Sequence, residues 1–171
     1  LLDVDHVARL INERTCAVLG VHLWGQLCPA ALEQLCEKHA IPLVLDAAHS
    51  FACSDGRRMS GCFGTVEVFS FHATKFFNSI EGGALCTNSA ELASKLRLMR
   101  NFGFRGYDDV GNALTKPSSS QLVKNLFLTS IKLGCWGTNG KMSEIHAAMG
   151  LSNLPHVREI IRQNRANHQQ Y

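Results

Sequence analysis

The chain has 171 residues, 46% hydrophobic and 18% charged, which is enough for one domain with a proper core. Its formal charge of +3 comes from scattered Lys and Arg rather than a basic block, so nucleic acid is not an expected partner. No apolar run reaches the roughly eighteen residues of a membrane span, and the N-terminus lacks the layout of a signal peptide.

Cysteines stand at 16, 28, 36, 53, 62, 86 and 135, with no CxxC among them. Several lie inside apolar runs and are expected to be buried, reduced thiols of a cytoplasmic protein; zinc ligation or a catalytic thiol are the alternatives. No metal site is expected. The chain opens on Leu1, in what reads as mid-element, so a piece of a longer protein is expected.

In chain order, Val4, Val7, Ala8, Leu10 and Ile11 keep a helical period and predict a helix over 3–13. Cys16-Ala17-Val18-Leu19-Gly20-Val21 is a continuous apolar run, the pattern of a strand covered on both faces. The turn His22-Leu23-Trp24-Gly25-Gln26 follows. Pro29 starts a second helix, with Ala31, Leu32, Leu35 and Cys36 on one face, that ends near His39. Pro42-Leu43-Val44-Leu45 is a short buried strand closed by Asp46. Strand, helix and strand with short links predict an α/β fold, a mostly parallel sheet with right-handed crossovers and flanking helices. Ligands of such sheets bind beyond the carboxyl ends of the strands.

Residues 48–64 read as an irregular loop. Val66-Glu67-Val68-Phe69-Ser70-Phe71 and Ala84-Leu85-Cys86-Thr87 are apolar, strand-like runs. Asn88 or Ser89 caps a helix that runs to about Arg100, and Asn101-Phe102-Gly103-Phe104-Arg105-Gly106 ends it. Lys116-Pro117-Ser118-Ser119-Ser120 reads as a surface loop, and 122–133 is apolar without a clean period. A small-residue helix over 141–152 sets Met142, Ile145, Ala148 and Met149 on one face, and a more polar helix over 156–170 closes the chain. Neither repeats nor a second-domain linker are found.

Lys75 lies in a turn between two strand-like runs, a costly place for a cation unless something uses it. The obvious use is as an amine nucleophile that forms a Schiff base. A pyridoxal phosphate site also needs a carboxylate for the pyridine nitrogen and donors for the phosphate dianion. Asp46, at the end of a central apolar strand, meets the first need; a helix cap or a solvated turn acid is the alternative. Ser70 could bond the phosphate, or merely its own turn.

Taken in order, several segments make a specific set. They are Leu45-Asp46-Ala47-Ala48-His49, Phe63-Gly64, Phe69-Ser70-Phe71-His72-Ala73-Thr74-Lys75, Glu81-Gly82-Gly83, Arg100-Asn101-Phe102-Gly103, and Gly137-Thr138-Asn139-Gly140-Lys141-Met142-Ser143-Glu144. This set closely resembles the DegT/DnrJ/StrS family of pyridoxal-phosphate aminotransferases, which act on nucleotide-linked keto sugars, over nearly the whole chain except 111–136. The resemblance implies the central part of an aspartate-aminotransferase-like (fold type I) large domain. It implies that Lys75 is the Schiff-base lysine and Asp46 the acid paired with the pyridine nitrogen. It places His49 beside the cofactor ring and makes Ser70 a phosphate ligand. It also implies that Asn139 reaches the cofactor phosphate of the neighbouring subunit in a homodimer. Lys141 stands where many relatives have Arg, and so offers a charge without a bidentate fork. His72 is expected only as a packing or turn residue, and Trp24-Gly25, although similar to a turn of the family, as core packing.

The implied reaction is a ping-pong transamination. An amino-acid donor, glutamate by the resemblance, leaves its nitrogen on the cofactor, and a nucleotide-linked keto sugar then receives it. Lys75 argues against those relatives that carry His there and remove a hydroxyl. Three departures from the family stand out. The upstream Gly-Thr segment and the C-terminal small domain are missing, and 111–136 is an atypical insert. The alternatives are therefore a truncated, non-catalytic remnant, or another fold type I enzyme with a different substrate.

Overall fold

A computed structural model of the chain describes residues 1–105 and 132–171. These fall into two compact units, Leu1–Ser89 with Met142–Tyr171, and Ala90–Lys141. Most of the expected insert, and the expected loop at 116–120, lie outside the described residues.

The first unit is built on a four-stranded sheet: β1 (Val18–Val21), β2 (Leu43–Asp46), β3 (Val66–Ser70) and β4 (Gly83–Cys86), in that order across the sheet. β1, β2 and β3 are parallel, and β4 returns antiparallel along β3. Helix α1 (Val4–Leu10) is capped by Asp3, whose carboxylate accepts the His6 N–H at 3.1 Å. It stops short of the expected residue 13 because the Asn12 side chain turns back on the Leu10 carbonyl and receives the Arg14 N–H, closing a local turn. Helix α2 (Ala30–Lys38) is the crossover from β1 to β2 and buries Leu32 and Cys36. These pack with Val18, Leu43 and Leu45 into one cluster, bordered by Val4, Val7, Cys28 and Phe63. Gly20 leaves room for the neighbouring strand and the segment before α2, since a Cβ there would stand 2.9 Å from Leu45 and 3.0 Å from the Cys28 sulfur.

The apolar run of β1 predicts cover on both faces, but the strand alternates buried and exposed residues. Leu19 is 63% exposed and its same-face neighbours Val21, Val68 and Leu85 are 40%, 39% and 50% exposed. Strand register puts these on one side with Asp46 and Ser70, opposite the buried cluster. Among the described residues, the helix-covered face is the one that holds Leu43 and Leu45. The thiols also differ from expectation. All seven cysteines are free, but Cys16 and Cys62 are exposed and only Cys36 is fully buried.

The irregular loop after β2 is held by two carboxylates. Glu33 of α2 pairs with Arg58 at 2.6 Å and accepts the Gly64 N–H at 2.8 Å. Glu67 of β3 is fully buried and accepts the N–H groups of Gly61 and Phe63 at 2.6 and 2.7 Å and the Ser60 hydroxyl at 3.0 Å. His22 Nε2 stands 3.3 Å from the oxygen that Ser60 also bonds, off the line of a good hydrogen bond. Burial by itself raises the pKa of Glu67; hydrogen bonds from His22, the Phe63 amide, Ser60 and the Gly61 amide outweigh it and hold the carboxyl below its ordinary value of 4.5. Burial disfavours a charged His22, while Cys28 and then Glu67 push its pKa up to about 9. Full protonation would, however, take the acceptor from the Cys28 N–H, which bonds His22 Nδ1 at 2.9 Å. The ring therefore keeps Nδ1 unprotonated for the Cys28 N–H and turns Nε2 toward Glu67.

Helix α3 (Ala90–Arg100) opens the second unit and β5 (Phe104–Arg105) pairs antiparallel with β6 (Lys132–Leu133). Phe102 and Gly103 take positive φ where the chain leaves α3. The segment after β6 lies along that exit, with Thr138 N–H on Met99 O and Gly140 N–H on Arg100 O. Back in the first unit, α4 (Glu144–Asn153) is capped by Ser143, and α5 (Val157–His168) follows after one tight turn.

Glu67 carries the clearest stability expectation. Glu67→Gln replaces an acceptor facing two amides with a group half of which donates, and should cost about 3 kcal/mol in denaturant unfolding of the full-length protein. Because the folded-state pKa is lowered, the parent's stability is complete above 4.5 and falls as pH drops through the folded value. The variant should lose less over the same acid window.

Candidate active site

The carboxyl ends of the three parallel strands deliver three segments to one edge of the sheet. After β1 comes the turn with Trp24, after β2 the residues Asp46 to His49, and after β3 the residues Ser70 to Lys75. The ends are joined by main chain: the His22 N–H donates to Asp46 O at 2.9 Å and the Ala47 N–H to Val68 O at 2.8 Å.

Asp46 is the last residue of β2, half-buried on the open face. Its Oδ1 accepts the Ala48 N–H at 3.0 Å, and among the described residues Oδ2 has no partner. Ser70 ends β3 on the same face, and its Oγ accepts the His72 N–H at 3.3 Å, so its own proton is free to donate. His49 is half-buried, with its ring stacked on the Trp24 indole at a centroid distance of 4.8 Å and an interplanar angle of 18°.

Lys75 lies in a turn built almost entirely from its neighbours. Its N–H donates to His72 O at 2.9 Å, and its C=O accepts the Asn78 side-chain amide at 3.1 Å. The Ser79 N–H returns to Phe71 O at 2.9 Å. Below it, Phe77 stacks on Phe51 at 4.4 Å, and Phe69 and Phe71 meet Phe51 edge-on. Helix α4 braces the turn: the Asn153 side chain donates to Asn78 O at 3.0 Å. Gly150 leaves room for this, since a Cβ there would come within 3.3 Å of Ser79. The Lys75 side chain is half-buried, and among the described residues Nζ forms no ion pair. His72 does act in the turn: Nδ1 lies 2.9 Å from Thr74 Oγ1, and Nε2 lies 3.8 Å from the exposed Glu81.

Asn139 belongs to the second unit. It bridges to Asn101, and its Oδ1 accepts the Lys141 ammonium at 2.7 Å, while Lys141 also sits 4.2 Å over the Phe102 ring. Asp46, His49, Ser70 and Lys75 thus share one unit and one sheet edge, and Asn139 is described apart from them. Three residues near that edge escaped sequence reasoning. Glu67 was visible only as an acid inside a β-branched run, and His22 only as the first residue after an apolar strand. Trp24 is not core packing: it is 79% exposed, because the left-handed backbone at this position (φ 54) turns its side chain outward.

Comparison with known proteins decides the lineage. The DegT/DnrJ/EryC1/StrS aminotransferase family profile matches residues 1–171. The chain belongs to this family. A dTDP-4-amino-4,6-dideoxy-D-glucose transaminase of Shigella dysenteriae is 31% identical over 91% of the chain, which spans 36% of that relative. A UDP-4-amino-4,6-dideoxy-N-acetyl-beta-L-altrosamine transaminase of Helicobacter pylori is 33% identical over 89% of the chain and 36% of the relative. Among solved structures, DesI in the presence of its TDP-sugar product superposes with a TM-score of 0.76 at 43% identity, over 98% of the chain and 37% of DesI. The α/β sheet with a parallel centre is therefore the aminotransferase fold, and the chain spans little more than a third of these family members.

The brace on the lysine turn can be tested directly. Asn153→Ala removes one half-buried hydrogen bond, expected to cost about 1 kcal/mol. In the full-length protein, hydrogen exchange at the amides of Lys75 and Ser79 should quicken, while that of the β1–β2 amides stays unchanged.

Proposed function

We propose that the full-length protein transfers an amino group from an amino acid, glutamate, to a keto sugar linked to a nucleotide, with pyridoxal phosphate as cofactor. The observation that carries this reading is a half-buried lysine that forms no ion pair among the described residues, one strand away from a half-buried aspartate with an oxygen that has no partner among them. The donor set fits the cofactor: an amine for its aldehyde, a carboxylate for its ring nitrogen and a hydroxyl whose proton is available for its phosphate. The names of the relatives support a nucleotide-linked amino sugar as product.

Bound there, pyridoxal phosphate supplies an electrophilic aldehyde and a ring that accepts an electron pair from the bond being broken. Asp46 Oδ2 holds the proton on the ring nitrogen, which keeps that ring electron-poor; Oδ1 stays on the Ala48 amide and fixes the carboxylate plane. Ser70 donates its hydroxyl proton to the phosphate while accepting the His72 N–H. His49 hydrogen-bonds beside the ring. Lys75 is the residue that changes state: its amine carries the cofactor at rest. Once displaced by substrate, the Lys75 amine would take the proton from the donor's nitrogen-bearing carbon and deliver it to the cofactor's former aldehyde carbon, on the other side of that nitrogen. In this reading Asn139 reaches the phosphate held by the other subunit of a homodimer. The seven free thiols suit a reducing compartment, the cytoplasm.

Adding pyridoxal phosphate to the full-length protein should produce a visible absorbance band that Lys75→Ala abolishes. Adding glutamate should discharge the band with release of 2-oxoglutarate, and a dTDP-linked keto sugar should restore it. Asp46→Asn should retain cofactor yet slow turnover by roughly 10³-fold or more, since the amide cannot hold the ring proton as a carboxylate does. A full-length protein that binds the cofactor without using Lys75, or binds none, would sink the proposal.

A further inference from the structure

Among the described residues, Trp24 combines two costs that packing does not offset. It lies in the short 3-10 turn Leu23–Gly25 with φ 54 and ψ 34, the left-handed region, which strains a bulky side chain. Its indole is then left 79% exposed, so burial does not offset that strain. Among the described residues, the one ring it meets is His49, nearly parallel at 4.8 Å.

The turn is anchored on both sides of that contact. His22, just before it, is buried; its ring accepts the Cys28 N–H, and its own N–H donates to Asp46 O. Gln26 N–H closes the turn on Leu23 O at 3.0 Å. Gly25 lies so close to the loop after β2 that a Cβ there would be 3.3 Å from the Cys53 sulfur and 3.9 Å from His49 O. Trp24 and His49 therefore stand on two segments tied to the same residue, Asp46.

Stacking occupies the face of an imidazole and leaves its edge, with both nitrogens, free. An indole against that face restricts rotation about the side-chain bonds without using either nitrogen. We propose that Trp24 is a positioning residue: its strained turn sets the indole against His49 and fixes the direction in which the His49 ring edge meets the cofactor. The inference rests on the reading that His49 faces pyridoxal phosphate, and it assigns Trp24 no contact with the cofactor.

Two measurements on the full-length protein test it. The first is made without cofactor, by NMR with isotope-labelled histidine. The indole ring current should hold the His49 ring protons upfield, Trp24→Ala should return them to ordinary positions, and Trp24→Phe should keep part of the shift. The buried His22 resonance should persist in both variants and so report an intact fold. An unmoved His49 resonance in Trp24→Ala overturns the proposal. The second is a pyridoxal phosphate titration followed by visible absorbance. Trp24→Ala and His49→Ala should each weaken binding roughly 10-fold, Trp24→Phe should recover most of the loss, and the double variant should be no worse than His49→Ala. Losses that multiply would show independent roles and overturn it. If the parent takes up no cofactor, the cofactor reading fails, and the resonance shift still decides whether Trp24 holds His49.

Discussion

The buried carboxylate of Glu67 is the contact on which the first unit depends. It sits inside β3, on the face of the sheet that packs against α2, and has no access to water. A charge in that place is tolerable only when its lone pairs are filled. The loop after β2 fills them with two amides and a hydroxyl, and the end of β1 brings His22 to the oxygen that Ser60 also bonds. One side chain thus joins three segments that the strand order alone leaves independent. The network continues through Ser60 to Ser50, 2.8 Å away, which lies directly behind His49 in sequence.

The site edge inherits its order from beneath. Asp46 and Ser70 end neighbouring parallel strands, so their separation is set by sheet geometry rather than by loop conformation. Lys75 lies beyond the last of these strands, in a turn whose hydrogen bonds are nearly all local. That turn is supported from below by the rings of Phe51, Phe69, Phe71 and Phe77 and from the side by α4. A rigid seat suits the role proposed for Lys75, because carrying a cofactor and moving a proton each need the amine within bonding distance of a defined atom.

The apolar, open face of the sheet is the other large feature. Asp46 and Ser70 lie on the same side as Leu19, Val21, Val68 and Leu85. The proposed cofactor residues therefore emerge from an apolar surface, where a carboxylate and a hydroxyl stand out chemically. A polar ligand held there is surrounded by groups that do not compete for its hydrogen bonds.

Much of this was legible in the residues. The apolar runs, Pro29 and the short links set out a parallel α/β core, since continuous β-branched runs and a helical period differ in a way that packing cannot disguise. The ordered segments from Asp46 to Glu144 marked the family and, by resemblance, proposed a lysine and an aspartate. Tertiary structure alone decided the rest. Which face of β1 the described residues cover depends on what lies across the sheet, and a run of apolar letters does not record that. The burial of Glu67 depends on a loop bringing two amides and a hydroxyl to it from four to seven positions away in the chain. The lysine turn of the sequence is fixed by Asn153, 75 positions away from Asn78, a pairing no local pattern encodes. Trp24 reads as a core residue by composition, and only its backbone angle turns it outward onto His49. Local chemistry in the sequence proposed the candidate groups; long-range packing decided which faces they share and what holds them still.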